Sequence, residues 1–295
     1  MSVALHAFRD QAAEARRLAD ALRAPLAFVD VHTFPDGEIA PRVPAPAATT
    51  IVYRSLYQPN AKLVELLLAA EAWRSNGARR LVLVAPYLPY MRQDMAFATG
   101  EPVSQRVVAG LLDAAFDRIV TVDPHLHRTS TLAALFPSCE CTHLFGADPL
   151  VAYLRASPPP PGTLVVGPDV ESGPWVSRIA SPLGLDHATM TKRRTSDTDV
   201  VIDPPAGFAP AGRPILLVDD ICSTGSTLRE ATTILKSQGA GPITVFVTHA
   251  LGGDAAKGSL LRAGASEVIS TDSCPDSTNA IHLAGLLAHA LNEHG

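Results

Sequence analysis

The residues most capable of chemistry lie in one short segment, where two acids precede a loop rich in hydroxyl groups. Asp219 and Asp220 follow an apolar run, and an apolar helical pattern begins at Leu228. Backbone N–H groups of such a loop, with the positive end of the next helix, form a cradle for a phosphate. Hydroxyl side chains add further donors. The residues of this predicted phosphate loop are Ser223, Thr224, Gly225, Ser226 and Thr227.

The two carboxylates predict a partner other than phosphate, because like charges repel each other. Asp219 and Asp220 suit the vicinal hydroxyls of a sugar, or a cation that bridges to one. No lysine follows Gly225, so the segment is not a Walker A loop. The alternative, an ordinary helix start with solvent-facing acids, leaves the four hydroxyl residues unexplained. The segment therefore predicts a binding site for a phosphorylated pentose.

Short aliphatic and β-branched runs recur along the chain and predict strands. Segments with helical spacing lie between several of them, notably 63–70 and 228–235, and Gly77 and Gly239 follow these as stop signals. Strands that alternate with helices predict parallel sheets covered on both faces, and such sheets bind ligands at the carboxyl ends of their strands. The predicted strands are 81–85, 119–122, 164–166, 215–218, 243–247 and 268–271.

A run of four prolines at 158–161, followed by Gly162, can continue neither a helix nor a sheet ladder. Its composition predicts a stiff linker, and it lies near the middle of the chain. We therefore expect two tandem α/β domains.

The composition argues against several classes of protein. A hydrophobic content of 47% is enough for a large core, and a net charge of −5 provides no basic surface for nucleic acid. Apolar runs such as 63–70 are too short to cross a bilayer. Arg9, Asp10 and Glu14 interrupt the N-terminus before a signal peptide could form. We expect a soluble cytoplasmic protein that binds neither nucleic acid nor membrane.

The cysteines do not predict a disulfide framework in a chain of this length. Cys139, Cys141 and His143 alternate with other residues and could be interpreted as a metal cluster. Structural zinc sites usually combine two C-x2-C pairs, which this sequence lacks. The favoured interpretation is that these thiols are buried and incidental.

Several motifs together resemble those of one enzyme family. The segment 219–227 resembles the phosphoribosyl-binding loop of type I phosphoribosyltransferases and their relatives. The remaining motifs resemble, in order and approximate spacing, those of the ribose-phosphate pyrophosphokinases. They are Thr-Phe-Pro-Asp-Gly-Glu at 33–38, Pro-Tyr-Leu-Pro-Tyr-Met-Arg-Gln-Asp at 86–94, Gly-Glu-Pro-Val-Ser at 100–104, Asp-Pro-His at 123–125 and Lys-Arg-Arg at 192–194.

The resemblance implies a reaction and an architecture. The enzyme would transfer the pyrophosphoryl group of ATP to the 1-hydroxyl of ribose 5-phosphate with Mg²⁺, giving 5-phosphoribosyl-1-pyrophosphate and AMP. Two tandem phosphoribosyltransferase-like domains, each with a mainly parallel sheet flanked by helices, would hold the active site between them. Residues 1–146 would form the ATP-binding half, with a C-terminal helix in 281–295 packed on it. Residues 147–280 would form the ribose-phosphate half.

The same resemblance implies roles for individual residues. Lys192 and Arg194 would be catalytic on a mobile loop, and 34–38 would reach a neighbouring subunit's site, which predicts a homo-oligomer. The implied ATP-binding residues are Phe34, Asp36, Glu38, Arg92, Gln93, Asp94 and His125. The implied ribose 5-phosphate residues are Asp169, Asp219, Asp220, Ser223, Thr224, Gly225, Ser226 and Thr227. The implied metal-binding residues are Asp123, His125 and Asp169, and whether His125 or His127 faces the nucleotide stays open.

Two departures from the family pattern leave the substrates partly open. Met95, Ala96 and Phe97 stand where the family usually carries basic residues that contact ATP, which affects the choice of nucleotide. Val170 and Glu171 stand where a glycine pair commonly follows the aspartate, so the sugar could be a relative of ribose 5-phosphate. Two alternatives also remain, namely a non-catalytic regulatory homologue and a phosphoribosyltransferase.

Overall fold

The computed structural model describes residues 3–126, 128–129, 131–194, 200–203 and 208–293. The chain divides into two compact units, the first formed by Met1–Leu144 with Ala284–Gly295 and the second by Phe145–Leu283. The proline run at 158–161 lies inside the second unit. The linker expected there is therefore a loop within one unit.

The strands and helices alternate along most of the chain. The strands are β1 (Val3–Phe8), β2 (Leu26–Thr33), β3 (Ile39–Arg42), β4 (Thr49–Tyr53), β5 (Arg80–Ala85), β6 (Arg118–Val122), β7 (Glu140–Leu144), β8 (Leu164–Gly167), β9 (Asp186–Thr189), β10 (Thr191–Arg194), β11 (Val200–Asp203), β12 (Ile215–Cys222), β13 (Ile243–Ala250), β14 (Glu267–Thr271) and β15 (Asn279–Ile281). The helices are α1 (Ala12–Leu22), α2 (Pro59–Ser75), α3 (Ser104–Ala115), α4 (Ala147–Ala156), α5 (Gly173–Ala180), α6 (Ser226–Ser237), α7 (Gly253–Arg262) and α8 (Ala284–Asn292).

The first unit is built on a seven-stranded sheet with the order β3-β2-β1-β4-β5-β6-β7. Neighbouring strands pair in parallel, while β2 and β3 form an antiparallel hairpin. Strands β5 and β6 are almost wholly buried, because helices cover both faces of a parallel sheet. The core of this unit includes Trp73 of α2 and Leu112 of α3, which are fully buried.

Helix α8 returns from the end of the chain to the first unit. It packs against α1, and it buries Leu287, Ala288 and Leu291. The buried guanidinium of Arg118 donates from Nη2 to the carbonyl oxygen of Ala290 at 3.0 Å. This bond ties the amino end of β6 to the C-terminal helix.

The second unit is built on a six-stranded parallel sheet with the order β15-β14-β13-β12-β8-β9. Strands β10 and β11 form a separate antiparallel pair. The six predicted strands are confirmed as β5, β6, β8, β12, β13 and β14, and the two predicted helices as α2 and α6. The predicted fold class, α/β with mainly parallel sheets flanked by helices, is confirmed. No helix in the described part of the chain is long and apolar enough to span a membrane.

Candidate functional site

The phosphate loop lies between β12 and α6, at the carboxyl end of the sheet. Gly225, at the N-cap of α6, adopts φ 74°, a left-handed conformation that glycine tolerates, and the N–H of Ser226 donates to Oγ1 of Thr224 at 3.4 Å. Thr224 Oγ1 donates to Ser226 Oγ at 3.2 Å, so two hydroxyls gather at the start of α6. The arrangement places hydroxyl donors at the positive end of a helix, which is the chemistry that binds phosphate.

The acid pair lies within strand β12, which extends to Cys222 and is longer than the pattern predicted. Asp220 is buried, and its N–H donates to Oδ1 of Asp219 at 3.0 Å. Burial, and then the negative charges of Asp220 and Asp169, raise the pKa of the Asp219 carboxyl well above its usual value. Crowded carboxylates of this kind favour a cation or hydroxyl donors as ligands.

Asp169 lies close enough to this acid pair to raise the pKa of Asp219, and its side chain also caps the backbone turn that follows. It follows β8, and its Oδ1 accepts hydrogen bonds from the N–H groups of Glu171 and Ser172 at 3.1 and 3.3 Å. These bonds cap a short 3-10 turn at Val170–Ser172. Gly167 leaves room for this turn, because a Cβ there would lie 2.0 Å from Ser172 Oγ. Val170 and Glu171, which stand where the family commonly has a glycine pair, thus lie in a short turn that Asp169 caps.

A glycine that the sequence analysis did not identify supports the phosphate loop from the next strand. A Cβ at Gly252 would lie 2.0 Å from the carbonyl oxygen of Ser223 and 2.5 Å from Cβ of Ala256. The N–H of Leu251 also donates to the carbonyl oxygen of Cys222 at 2.8 Å. The turn after β13 therefore holds the backbone of the phosphate loop.

The two implied catalytic cations lie on β10, which pairs with β11. The backbone of 191–194 is thus a strand, and the mobility that the resemblance implied for this segment stays a prediction. The side chains of Lys192 and Arg194 lie outside the described residues, as does His127 of the first unit.

In the first unit, the implied nucleotide residues 34–38 form the exposed tip of the β2–β3 hairpin. The N–H of Phe34 donates to the carbonyl oxygen of Glu38 at 2.8 Å, and the N–H of Glu38 donates to Oδ1 of Asp36 at 3.1 Å. Gly37 has φ 91°, which favours glycine at the tip. The Phe34 ring is 42% exposed, so it is accessible to a ligand or another chain.

The segment that follows β5 carries two exposed polar side chains, Arg92 and Gln93. The neighbouring Asp94 differs from them, because its side chain is 3% exposed and accepts a 2.8 Å bond from Nη1 of Arg128. Arg92 and Gln93 are therefore accessible to a ligand, and their contact with a nucleotide stays a prediction. The ion pair gives Asp94 a structural role, which the motif alone did not indicate.

Asp123 directly follows β6 and has a strained conformation with φ 37°, which is uncommon outside glycine and is often found at functional sites. Its carboxylate is buried, and Oδ1 lies 3.9 Å from Nε2 of His143 on β7. The sequence analysis did not connect these two residues, because they are neighbours only through the pairing of β6 with β7. His125 is partly exposed.

The implied metal residues are divided between the units, with Asp123 and His125 in the first and Asp169 in the second. Among the described residues, no group of three or more His, Cys, Asp or Glu side chains is arranged to hold a metal. Mg²⁺ commonly uses only one or two carboxylates together with substrate phosphates. Asp219 and Asp220 are two neighbouring carboxylates of the kind that such a site uses.

The cysteines near β7 are poor metal ligands. Burial raises the pKa of Cys139 to about 12 and that of Cys141 to about 11, so both thiols stay protonated at neutral pH. These values support their interpretation as structural thiols.

Comparison with known proteins identifies the family. A profile described as the N-terminal domain of ribose phosphate pyrophosphokinase matches residues 3–115, and one described as a phosphoribosyl transferase domain matches residues 157–283. A Methanopyrus kandleri protein named ribose-phosphate pyrophosphokinase is 36% identical over 278 residues, and the alignment covers 94% of each chain. A Pyrococcus furiosus protein of the same name is 33% identical over 262 residues, covering 88% of this chain and 91% of that one.

A solved structure agrees with these sequence relatives. The phosphoribosylpyrophosphate synthetase of Mycobacterium smegmatis is 28% identical, superposes with a TM-score of 0.84, and covers 100% of both chains. The chain therefore belongs to the ribose-phosphate pyrophosphokinase family.

Proposed function

We propose that this protein is an enzyme that transfers the pyrophosphoryl group of ATP to the 1-hydroxyl of ribose 5-phosphate, giving 5-phosphoribosyl-1-pyrophosphate and AMP. The observation that carries the proposal is the phosphate loop after β12, with the acids Asp219 and Asp220 in the second half of that strand. The loop suits the 5-phosphate, and the acids suit the ribose hydroxyls or a cation bound to them.

This reaction relies on positioning and charge neutralisation rather than on a covalent intermediate. Mg²⁺, when bound with the substrates, supplies charge neutralisation at the transferred phosphates. The crowded carboxylates that raise the pKa of Asp219 fit such a cation, and we assign Asp219 and Asp220 to it or to the ribose. Lys192 and Arg194 are proposed to supply the cations nearest the transferred group.

The nucleotide is proposed to bind the first unit. Arg92 and Gln93 are exposed beside the carboxyl end of β5, and His125 follows β6. Phe34 is exposed at the tip of the β2–β3 hairpin, where its ring could cover a base of the same or a neighbouring chain. ATP and ribose 5-phosphate are cytoplasmic metabolites, so we place the activity in the cytoplasm.

We also propose that the protein is a homo-oligomer. Two apolar pairs with helical spacing are exposed on α2 and α3, namely Val64 with Leu68, and Val107 with Leu111. Exposed apolar stripes of this kind mark interaction surfaces.

The test is a direct assay of the purified full-length chain with ribose 5-phosphate, ATP and Mg²⁺, in which AMP and 5-phosphoribosyl-1-pyrophosphate are separated by chromatography. We expect the two products in equal amounts. Consumption of added phosphoribosyl pyrophosphate with a nucleobase would instead support a phosphoribosyltransferase. If no product forms with ATP or other nucleotides, the enzymatic proposal is wrong and the regulatory homologue becomes the better description.

A further inference from the structure

A buried glutamine of the first unit joins two segments that carry proposed nucleotide-binding residues. Gln105 lies in the first turn of α3 and is only 2% exposed. Its Nε2 donates to the carbonyl oxygen of Met91 at 3.1 Å, and its Oε1 accepts from Oγ1 of Thr129 at 3.2 Å. Its backbone N–H donates to the carbonyl oxygen of Gln93 at 3.1 Å.

The orientation of this amide follows from its partners. The carbonyl oxygen of Met91 can only accept a hydrogen bond, so it must face the NH2 group of Gln105. The hydroxyl of Thr129 can then donate to the amide oxygen, and both ends of the side chain are satisfied. A buried amide bonded at both ends holds its partners at a fixed separation, because loss of either bond leaves a buried polar group without its partner.

A second bond connects the same two segments. Nη1 of Arg128 donates to Oδ1 of Asp94, whose side chain is 3% exposed. Met91 and Asp94 flank the exposed pair Arg92 and Gln93, while Arg128 and Thr129 follow the partly exposed His125. The segments after β5 and β6 are thus joined at two points, and the side chains proposed to bind the nucleotide lie between or beside these points in the sequence.

We infer that Gln105 is a positioning residue for nucleotide binding, which fixes the Arg92–Gln93 backbone against the segment that carries His125. The inference rests on the proposed function. Groups that bind a polyphosphate must be held in place by supporting residues, since small displacements lower affinity and rate. Gln105 contacts no substrate in this scheme, because it is buried, and it acts through the main chain of Met91 and Gln93.

The test compares steady-state kinetics of the full-length protein with those of Gln105→Leu, which is similar in size and removes both side-chain bonds. We expect the KM for ATP to rise about tenfold, because a buried hydrogen-bond pair is lost beneath the segment that binds the nucleotide. The KM for ribose 5-phosphate should stay within about twofold, because the phosphate loop belongs to the other unit. Titration calorimetry with ATP and Mg²⁺ alone should show the same weakening.

Two further variants extend the test, and the first of them keeps it decisive if Gln105→Leu folds poorly. Thr129→Val removes only the bond to Oε1 and should give a smaller increase in the KM for ATP. Gln105→Leu combined with Thr129→Val should be no worse than Gln105→Leu alone, because the two changes remove the same bond. Arg106→Gln, a change at the exposed neighbouring position on α3, is the control and should leave both KM values unchanged.

The outcomes separate the two proposals. If wild-type protein forms no AMP from ATP, the proposed function fails and the role of Gln105 fails with it. If wild-type protein is active but the variants raise both KM values equally, or change only the melting temperature, the assignment of Gln105 is wrong while the proposed function stands.

Discussion

The acid pair at the end of β12 is the clearest single-residue feature of the site. Asp219 and Asp220 are adjacent in sequence, and with Asp169 they make a region of negative charge beside a loop of donors. Neither half of this arrangement alone selects a ligand. Together they match a molecule that carries both a phosphate and hydroxyl groups. The acids are therefore needed to explain the choice of a phosphorylated sugar as the proposed substrate.

Lys192 is expected to contribute to turnover. If it neutralises charge only in the transition state, Lys192→Ala should lower kcat about 100-fold with little change in the free energy of unfolding. The measurement is kcat together with a thermal melt. Arg193→Ala is the matched control, because Arg193 is the intervening cation to which no role is assigned. Unchanged kcat in Lys192→Ala would remove this residue from the catalytic assignment.

His6 of β1 should make the first unit sensitive to acid. It is buried beside Trp73, and burial lowers its pKa to about 4. The unfolded chain binds a proton near pH 6.5, so the folded state loses stability as the pH falls from about 6.5 towards 4, by an amount on the order of 3 kcal/mol.

The check is urea unfolding of the full chain between pH 7 and pH 4. His6→Leu should reduce the loss of stability across this range, because its side chain cannot take up a proton. His187→Leu, at an exposed position of β9, should leave the pH dependence as it is in the wild type. A pH dependence in His6→Leu equal to that of the wild type would contradict the assignment.

At the scale of elements, the turn after β13 packs directly against the loop after β12. Gly252 has φ −89°, which alanine also adopts, so its special feature is space rather than backbone conformation. The carbonyl oxygen of Ser223 occupies the place of the missing side chain. The phosphate loop is therefore shaped by a neighbouring strand as well as by its own sequence.

Gly252→Ala should displace the phosphate loop, because its Cβ would overlap the carbonyl oxygen of Ser223. We expect the KM for ribose 5-phosphate to rise about tenfold, the KM for ATP to change little, and the free energy of unfolding to fall by about 1–3 kcal/mol. Kinetics with each substrate varied in turn are the measurement. Gly110→Ala, where a Cβ meets nothing within 4 Å, is the control. An unaffected KM for ribose 5-phosphate would mean that the loop does not need this support.

At the scale of the whole molecule, the chain contains two α/β units with their own sheets and cores. The profile matches follow the same division, with the N-terminal domain of ribose phosphate pyrophosphokinase on the first unit and the phosphoribosyl transferase domain on the second. The proposed self-association also belongs to this scale, because it depends on whole surfaces of the chain.

Sedimentation of the wild type should give the mass of two or more chains. Val107→Glu combined with Leu111→Glu should shift the distribution towards the monomer, because two charges would be buried in an apolar contact. Arg106→Glu, at an exposed position between the apolar pair and the helix start, is the control for added charge on α3. A wild-type monomer at high concentration would contradict the oligomer proposal.

The sequence by itself determined six of the strands, the α/β class and the position of a loop at 223–227 between a strand and a helix. These features depend on local patterns, because apolar runs form buried parallel strands and a glycine with hydroxyl residues forms an anion cradle wherever a strand leads into a helix. The acids could be assigned to the same site for the same reason, since they adjoin the loop. The strand β12 was nevertheless longer than its apolar run, because Asp219, Ile221 and Cys222 also pair with β13.

Only the tertiary structure decided which residues support the site. Gln105 is 24 positions from Thr129, and Arg128 is 34 positions from Asp94, so no local pattern links them. Asp123 meets His143 through strand pairing, and Gly252 makes room for Ser223 on a neighbouring loop. Such contacts depend on how strands are ordered in a sheet and how their loops meet at one edge, and that order is set by packing of the whole unit rather than by neighbours in sequence.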